Sequence, residues 1–196
     1  MKTTQKSVPV IPENRLFTVQ ALAQAAMIAA IYVVLTLLAN AFGLANYAIQ
    51  VRFSEALTIL PFFTPAAVPG LFVGCILSNI LTGCLPLDIV FGSLATLLGA
   101  LATYLIGHMS RAAVKNAKEA PGTGRKFTLY KILSPLPPIA ANTLIVPFVL
   151  AYVYKFEGSI PYFMLTVGIG EVISCGILGL ILLFSLEKYK NFLFPG

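Results

Sequence analysis

The stretch FSEALTILPFFTPAAVPGLFVGCILSNILTGCLPL, residues 53–87, decides the fold. It is apolar enough to lie in a membrane, yet Pro61, Pro65 and Pro69 forbid one continuous helix. The reading that follows is a short helix near Phe53 to Phe63 and a fuller one near Pro65 to Gly83. Either this is two crossings, or it is a re-entrant hairpin that returns the chain to the side it left. The flanks are simpler. Phe17 to Ala39, Ile89 to Gly107, Ile132 to Tyr154 and Ile160 to Leu186 are each long and apolar enough for a helix that needs about 20 residues to cross the hydrocarbon core.

Loop charge tests the count, because Lys- and Arg-rich loops stay in the cytoplasm. Lys2, Lys6 and Arg15 precede the first span, Arg111, Lys115, Lys118, Arg125, Lys126 and Lys131 follow the fourth, and Lys188 and Lys190 follow the last. All three clusters fall on one face only if an even number of passes separates them, so residues 53–87 must return the chain. We expect an all-α membrane protein of six transmembrane helices with both termini cytoplasmic. Its parts are a cytoplasmic segment 1–16, a membrane domain 17–187 with a flexible basic loop at 109–131, and a tail 188–196. Composition agrees: of 196 residues 58% are hydrophobic and 10% charged, with a mean hydropathy of +0.90. A soluble domain carries about 25% charged residues. The net charge of +6 is explained by topology, so it gives no reason to invoke nucleic acid.

Ionisable groups within spans are costly to place and mark functional sites by default. Here they are Arg52, Glu55, Asp88 and Glu171. Arg52 and Glu55 are three apart and share a helical face. Asp88 opens the fourth span, where it also suits the helix dipole, and Glu171 lies deepest. In the inferred orientation Arg52, Ser54, Glu55, Asn79, Thr82 and Asp88 project into the outer half, with Asn142 and Glu171 nearer the midplane. They describe a pocket open to the exterior, with Asn40, Asn46, Tyr47 and Gln50 of the first external loop as its lid.

Stripes of small residues form a second feature. Ala21, Ala25 and Ala29 recur every fourth position of span one, and Gly70 and Gly74 do the same in span three, a spacing that lets helices approach closely. The stripes serve either internal packing or docking of another subunit. Enzymatic patterns are missing: no Walker loop, HExxH, GxSxG or CxxC occurs. His108, the sole histidine, sits beside Arg111 at a span end, and Cys75, Cys84 and Cys175 lack metal-ligand spacing. No catalytic residue, metal site or bound cofactor is expected, and any use of ATP falls to a partner.

The run YAIQVRFSEALTILPFFTPAAVPGLFVGCILSNILTG, from Tyr47 to Gly83, with DIVFGSLATLLGALATYLIG from Asp88, resembles the QueT family of queuosine-precursor transporters. These are substrate-binding S components of energy-coupling factor (ECF) importers. The resemblance extends from span one to span six. It implies a six-helix S-component-like bundle in the bacterial plasma membrane that captures a 7-deazaguanine base outside and reorients when coupled to an ATP-driven module. Its partners would be a transmembrane coupling subunit, docked on the Ala21, Ala25 and Ala29 stripe, and two ATPases. An S component for another vitamin or nucleobase-like nutrient is a rival, as is an autonomous secondary transporter, although no convincing internal repeat is present.

A guanine-like edge offers N1–H and an amine as adjacent donors, which suits a carboxylate, and an O6 acceptor, which suits an amide or guanidinium. Glu171 or Glu55 would be the carboxylate, Asn142, Asn79 or Arg52 the donor, and Tyr47, Phe53 or Phe91 the stacking ring. Asp88 would suit a precursor that bears an aminomethyl cation.

Overall fold

The computed structural model describes residues 18–43, 51–116 and 123–189, and these are helical throughout apart from short connections. Helix α1, Val19–Ala41, starts on Thr18, whose side chain accepts a hydrogen bond from the Ala21 N–H (3.2 Å), and stops before Gly43, which takes the left-handed φ of 72°. A 3₁₀ helix, Phe53–Phe62, follows, then α2, Ala67–Leu81, and α3, Pro86–Asn116. The remaining chain forms two long interrupted helices. One is α4, Thr123–Leu133, with α5, Leu136–Phe148, and a π-helical segment, Val149–Val153. The other is α6, Ile160–Glu171, a π-helical segment, Val172–Leu178, and α7, Gly179–Glu187.

Among the described residues four helices are long and apolar enough to cross a membrane: Val19–Ala41, Pro86–Ala113, Thr128–Val153 and Ile160–Glu187. Phe53–Phe62 and Ala67–Leu81 are shorter apolar helices. The two expected from the proline pattern of residues 53–87 are therefore both formed. Much of segment 109–131, read from the sequence as a flexible loop, is helical instead, because α3 continues to Asn116 and α4 begins at Thr123.

The 3₁₀ helix runs through the middle of the bundle, touching α1, α2, α3, α7 and the π segment Val172–Leu178, and every residue from Ser54 to Phe62 is buried. Its ten residues exceed the usual three or four of a 3₁₀ run. With three residues per turn its side chains align in three rows, and Glu55, Thr58 and Pro61 share one. Thr58 Oγ1 donates to the Glu55 carbonyl at 2.6 Å, satisfying its hydroxyl within that row. At a rise of about 2.0 Å per residue a ten-residue 3₁₀ helix covers about 20 Å, where an α-helix would cover about 15 Å. Its last turn is held by Arg111, whose guanidinium donates to the Phe62 carbonyl, and Gly107 admits this close approach: a Cβ there would lie 2.5 Å from the same oxygen.

Helix α1 packs most closely on α2. A Cβ on Gly70 would lie 2.7 Å from the Ala25 carbonyl oxygen, and one on Gly74 would lie 2.9 Å from Tyr32 Cβ and 3.1 Å from Ala29 Cα. The two small-residue stripes thus face each other. Ala21 and Ala29 are buried and Ala25 half-buried. Gly70 and Gly74 are occupied within the chain and present no free face. Ile28, Tyr32, Leu57, Leu60, Leu71 and Ala100 form the main core around this contact. Helix α5 meets α3 at Gly99, where a Cβ would lie 2.7 Å from Pro138 Cα. Pro147 interrupts α5 and leads into its π segment, the expected consequence of a missing N–H and a ring that crowds the preceding turn. Lys131 pairs with Glu187 at 2.5 Å and ties α4 to α7.

Candidate functional site

The end of the bundle remote from Arg111 and Lys131 holds a cavity of about 590 Å³, within the roughly 300–1,000 Å³ typical of small-molecule sites. Six parts of the chain reach it: Thr36 and Asn40 at the end of α1, Arg52 before the 3₁₀ helix, Asn79 to Cys84 at the end of α2, Asp88 at the start of α3, Val146 to Tyr154 at the end of the fifth segment, and Tyr162 to Val167 in α6. The alternation of helix directions brings every second connection to this end.

Three buried polar residues lie three or four positions along the chain from three that line the cavity. Glu55 follows Arg52, Glu171 follows Val167, and Asn142 precedes Val146. They form a floor beneath the cavity. Glu55 accepts hydrogen bonds from the Tyr32 hydroxyl at Oε1 and from Asn142 Nδ2 at Oε2, the latter at 3.4 Å. Glu171 Oε2 accepts from the Cys175 thiol at 3.0 Å, and Asn142 also hydrogen-bonds Glu171. Thr58 Oγ1, whose proton goes to the Glu55 carbonyl, lies 3.4 Å from Cys175 Sγ. Glu55, Glu171 and Cys175 offer ligand atoms all within 4.8 Å of one another, two hard oxygens and a soft sulfur. In this structure those atoms are engaged in the hydrogen bonds just described. The π segment after Glu171 also supplies Ser174, whose Oγ accepts the Arg52 N–H at 3.1 Å and so fixes the start of the 3₁₀ helix.

Arg52 is half-buried in the cavity wall and interacts electrostatically with Asp88 on one side and Glu55 on the other. Among the described residues no ion pair joins Arg52 to Glu55, and the shared helical face expected from their spacing is not formed; Arg52 precedes the 3₁₀ helix with extended backbone, so the two side chains are not neighbours on one α-helical face. Asp88 lies in the first turn of α3 and is only 6% exposed. The Tyr154 hydroxyl donates to its Oδ2 at 2.8 Å while accepting the Leu85 N–H at 3.2 Å, which clasps the end of the fifth segment to the α2–α3 connection across the cavity mouth. Gly92, one turn beyond Asp88, lies beside both Asn79 and Asp88; a Cβ there would be 3.4 Å from Asn79 Nδ2 and 3.5 Å from Asp88 Oδ1, ordinary contact distances.

Of the residues singled out from sequence, Arg52, Asn79 and Asp88 line the cavity, as do Asn40 and Thr82. Glu55, Asn142 and Glu171 belong to its floor. Phe91 points away from the bundle, 44% exposed on the outer face of α3, so the expected stacking role does not fit its position. Phe53 is half-buried and does not line the cavity. Tyr47, Asn46 and Gln50 lie outside the described residues. The rings that do line the cavity are Tyr154, Phe156, Tyr162 and Phe163, and the chain between them carries Lys155 with φ 53° and Gly158 with φ 157°. Their signal in the sequence is the cluster YVYKFEGSIPYF, residues 152–163, which reads first as an ordinary interfacial aromatic belt. Tyr32 gave a similar faint signal, the one aromatic ring in α1.

No curated protein and no solved structure gives a match. The model of one family, the QueT transporter, matches residues 22–188, which run from the first turn of α1 to the end of α7 and take in both the cavity and its floor. The chain belongs to the QueT transporter family.

Proposed function

We propose that this chain is the substrate-binding S component of an ECF importer for queuosine precursors, the 7-deazaguanine bases. The observation that carries the reading is a cavity of about 590 Å³ at one end of an apolar helical bundle, lined by Arg52, Asn79 and Asp88 with four aromatic rings, in a chain of the QueT family. A flat, hydrogen-bonding base suits such a lining. Arg52 would donate to O6, and Glu55 or Glu171, buried beneath the lining, would accept from N1–H and the exocyclic amine once the base displaces their present partners. Tyr162 and Phe163 would take the stacking role first given to Phe53, Phe91 and Tyr47.

In this reading residues 53–62 and 67–81 both cross the bilayer, which brings the passes to six, with the termini cytoplasmic in a bacterial plasma membrane. Arg111, Lys131 and Lys188 lie at the end remote from the cavity, which supports a cavity open to the exterior. A transmembrane coupling subunit and two ATPases would supply the energy from ATP. On α1 the docking surface would be the exposed alanines 23, 26 and 30, because Ala21 and Ala29 are buried against the rest of the chain and Ala25 is half covered by α2.

Calorimetric titration of the purified chain in detergent with a series of 7-deazaguanines, without ATP, tests the substrate. Binding tighter than about 1 µM, near −8 kcal/mol, is expected. Silence across the series with a clear response to a vitamin would sink the substrate assignment, and concentrative uptake by the chain alone in proteoliposomes would instead favour a secondary transporter.

A further inference from the structure

The carbonyl of Phe62 ends the 3₁₀ helix, and the sequence denies it the usual backbone donors. Those would be the N–H groups three and four positions on, but Pro65 has none and the Ala66 N–H is bonded to Thr64 Oγ1 at 3.3 Å. Arg111 of α3 supplies the donor instead, reaching from an exposed position to a buried residue. Two residues earlier the helical pattern is already divided. The Leu60 carbonyl accepts the Phe63 N–H at 2.9 Å, a 3₁₀ bond, and the Thr64 N–H at 3.2 Å, an α bond. Residues 53–62 therefore end at a boundary between two helical forms, with Arg111 beside it.

The other end of the same helix belongs to the cavity. The Arg52 carbonyl accepts the Glu55 N–H at 3.1 Å, the Arg52 N–H donates to Ser174 Oγ, and the Arg52 side chain lines the wall. Ser54 to Phe62 are buried among α1, α2, α3, α7 and the π segment Val172–Leu178, so a change of form cannot be absorbed by sideways bending. Conversion to an α-helix would shorten these ten residues by about 5 Å. It would also satisfy Phe62 without Arg111, because the Ala66 N–H, four positions on, is the α donor for that carbonyl.

A basic side chain that caps a final turn is a common arrangement and by itself stabilises only that turn. Here the capped turn is continuous with the residue that lines the cavity. We infer that Arg111 is a positioning residue for the ligand site at the opposite end of the bundle: its bond to Phe62 keeps residues 53–62 in the 3₁₀ form, and that form keeps Arg52 in the cavity wall. Without the bond the last turn passes to the α pattern and Arg52 is drawn inward. By linkage, a ligand held by Arg52 strengthens the Arg111 bond, and an acceptor on a cytoplasmic partner that engages Arg111 lowers ligand affinity. The inference rests on the reading under Proposed function only for its ligand and for the side of the membrane that Arg111 faces.

The sequence contains no tryptophan, so Phe53→Trp places a single fluorescent reporter at the Arg52 end of the helix, remote from Arg111. In the full chain in detergent, adding Arg111→Met, which keeps a long stem without a donor, should shift the emission maximum of the reporter. Adding Arg111→Lys, which keeps a donor, should leave it in place. Without the reporter, Arg111→Met should weaken 7-deazaguanine binding about fivefold or more by calorimetry, and Arg111→Lys should retain most of the affinity. Gly107→Ala, whose Cβ would meet the Phe62 oxygen at 2.5 Å, disturbs the same bond from another residue and covers the case in which Arg111→Met does not fold. Lys131→Met breaks the ion pair at the same end and should lower the melting temperature while emission and affinity stay as they are. Unchanged emission in the first two variants overturns the inference, as does unchanged affinity where the wild type binds. An equal effect from Lys131→Met also overturns it, since the response is then general destabilisation. If the wild type binds no 7-deazaguanine, the substrate reading fails by itself, and the ligand-free emission still decides the role of Arg111.

Discussion

Tyr32 reaches Glu55 from α1 across the centre of the bundle, and both residues are almost completely buried. A buried acceptor that loses its donor bears the desolvation cost alone, about 1–3 kcal/mol and more for a charged group. Tyr32→Phe should therefore lower the melting temperature of the detergent-solubilised chain, and an unchanged melting curve would show that Glu55 finds another donor. Arg52 is different, because it lines the cavity and is the cation common to Asp88 and Glu55. Arg52→Gln should weaken binding of the 7-deazaguanine by about tenfold or more, the worth of a charge-assisted hydrogen bond, measured by titration. At this scale the sequence reveals charges better than uncharged partners. Arg52, Glu55, Asp88 and Glu171 stand out because ionisable groups are expensive in a span, whereas Tyr32, Thr58 and Cys175 blend into apolar helices. Spacing failed for Arg52 and Glu55, since the backbone between them changes from extended to 3₁₀ and an α-helical face does not apply.

Among the elements, α1 and α2 meet backbone to backbone. Gly74→Val would drive two methyl groups towards Tyr32 and Ala29, and overpacking of this kind costs about 1–3 kcal/mol. Because Tyr32 holds Glu55, the variant should lose ligand affinity together with thermal stability, a coupling visible when both are measured on one preparation. The aromatic segment after α5 makes a separate prediction. Tyr154→Phe removes the bond to Asp88 and the acceptor for Leu85, so ligand dissociation should quicken by about tenfold for a lost bond worth roughly 1.4 kcal/mol, measured by stopped-flow displacement. Unaltered dissociation would show that the clasp does not restrain the mouth. The prolines at 61, 65 and 69 made the division of residues 53–87 legible. The 3₁₀ form of the first piece was not, because it is imposed by the helices that enclose it on every side. The two π segments escaped sequence reading for a related reason. Pro147 marks one interruption, but the second begins immediately after Glu171 with no proline to announce it.

For the molecule as a whole, the stripe pairing moves the expected partner surface. Ala29→Leu intrudes between α1 and α2 and should destabilise the isolated chain, whereas Ala26→Leu alters an outward face and should leave ligand binding intact while reducing co-purification with a coupling subunit. Full assembly by the Ala26 variant would exclude that face. The alternation of passes, readable from basic clusters and prolines, accounts for why connections far apart in sequence gather at the cavity, but the depth of each group within it required the three-dimensional arrangement. One consequence concerns the thiols. Cys84 lines the cavity at the α2–α3 connection, Cys75 is buried beside Asn79 and Thr96, and Cys175 lies in the floor against Glu171. The native chain therefore carries a depth gauge: a water-soluble maleimide should modify Cys84 in the resting molecule, and modification of Cys75 or Cys175 would mark the moment at which the interior opens to water.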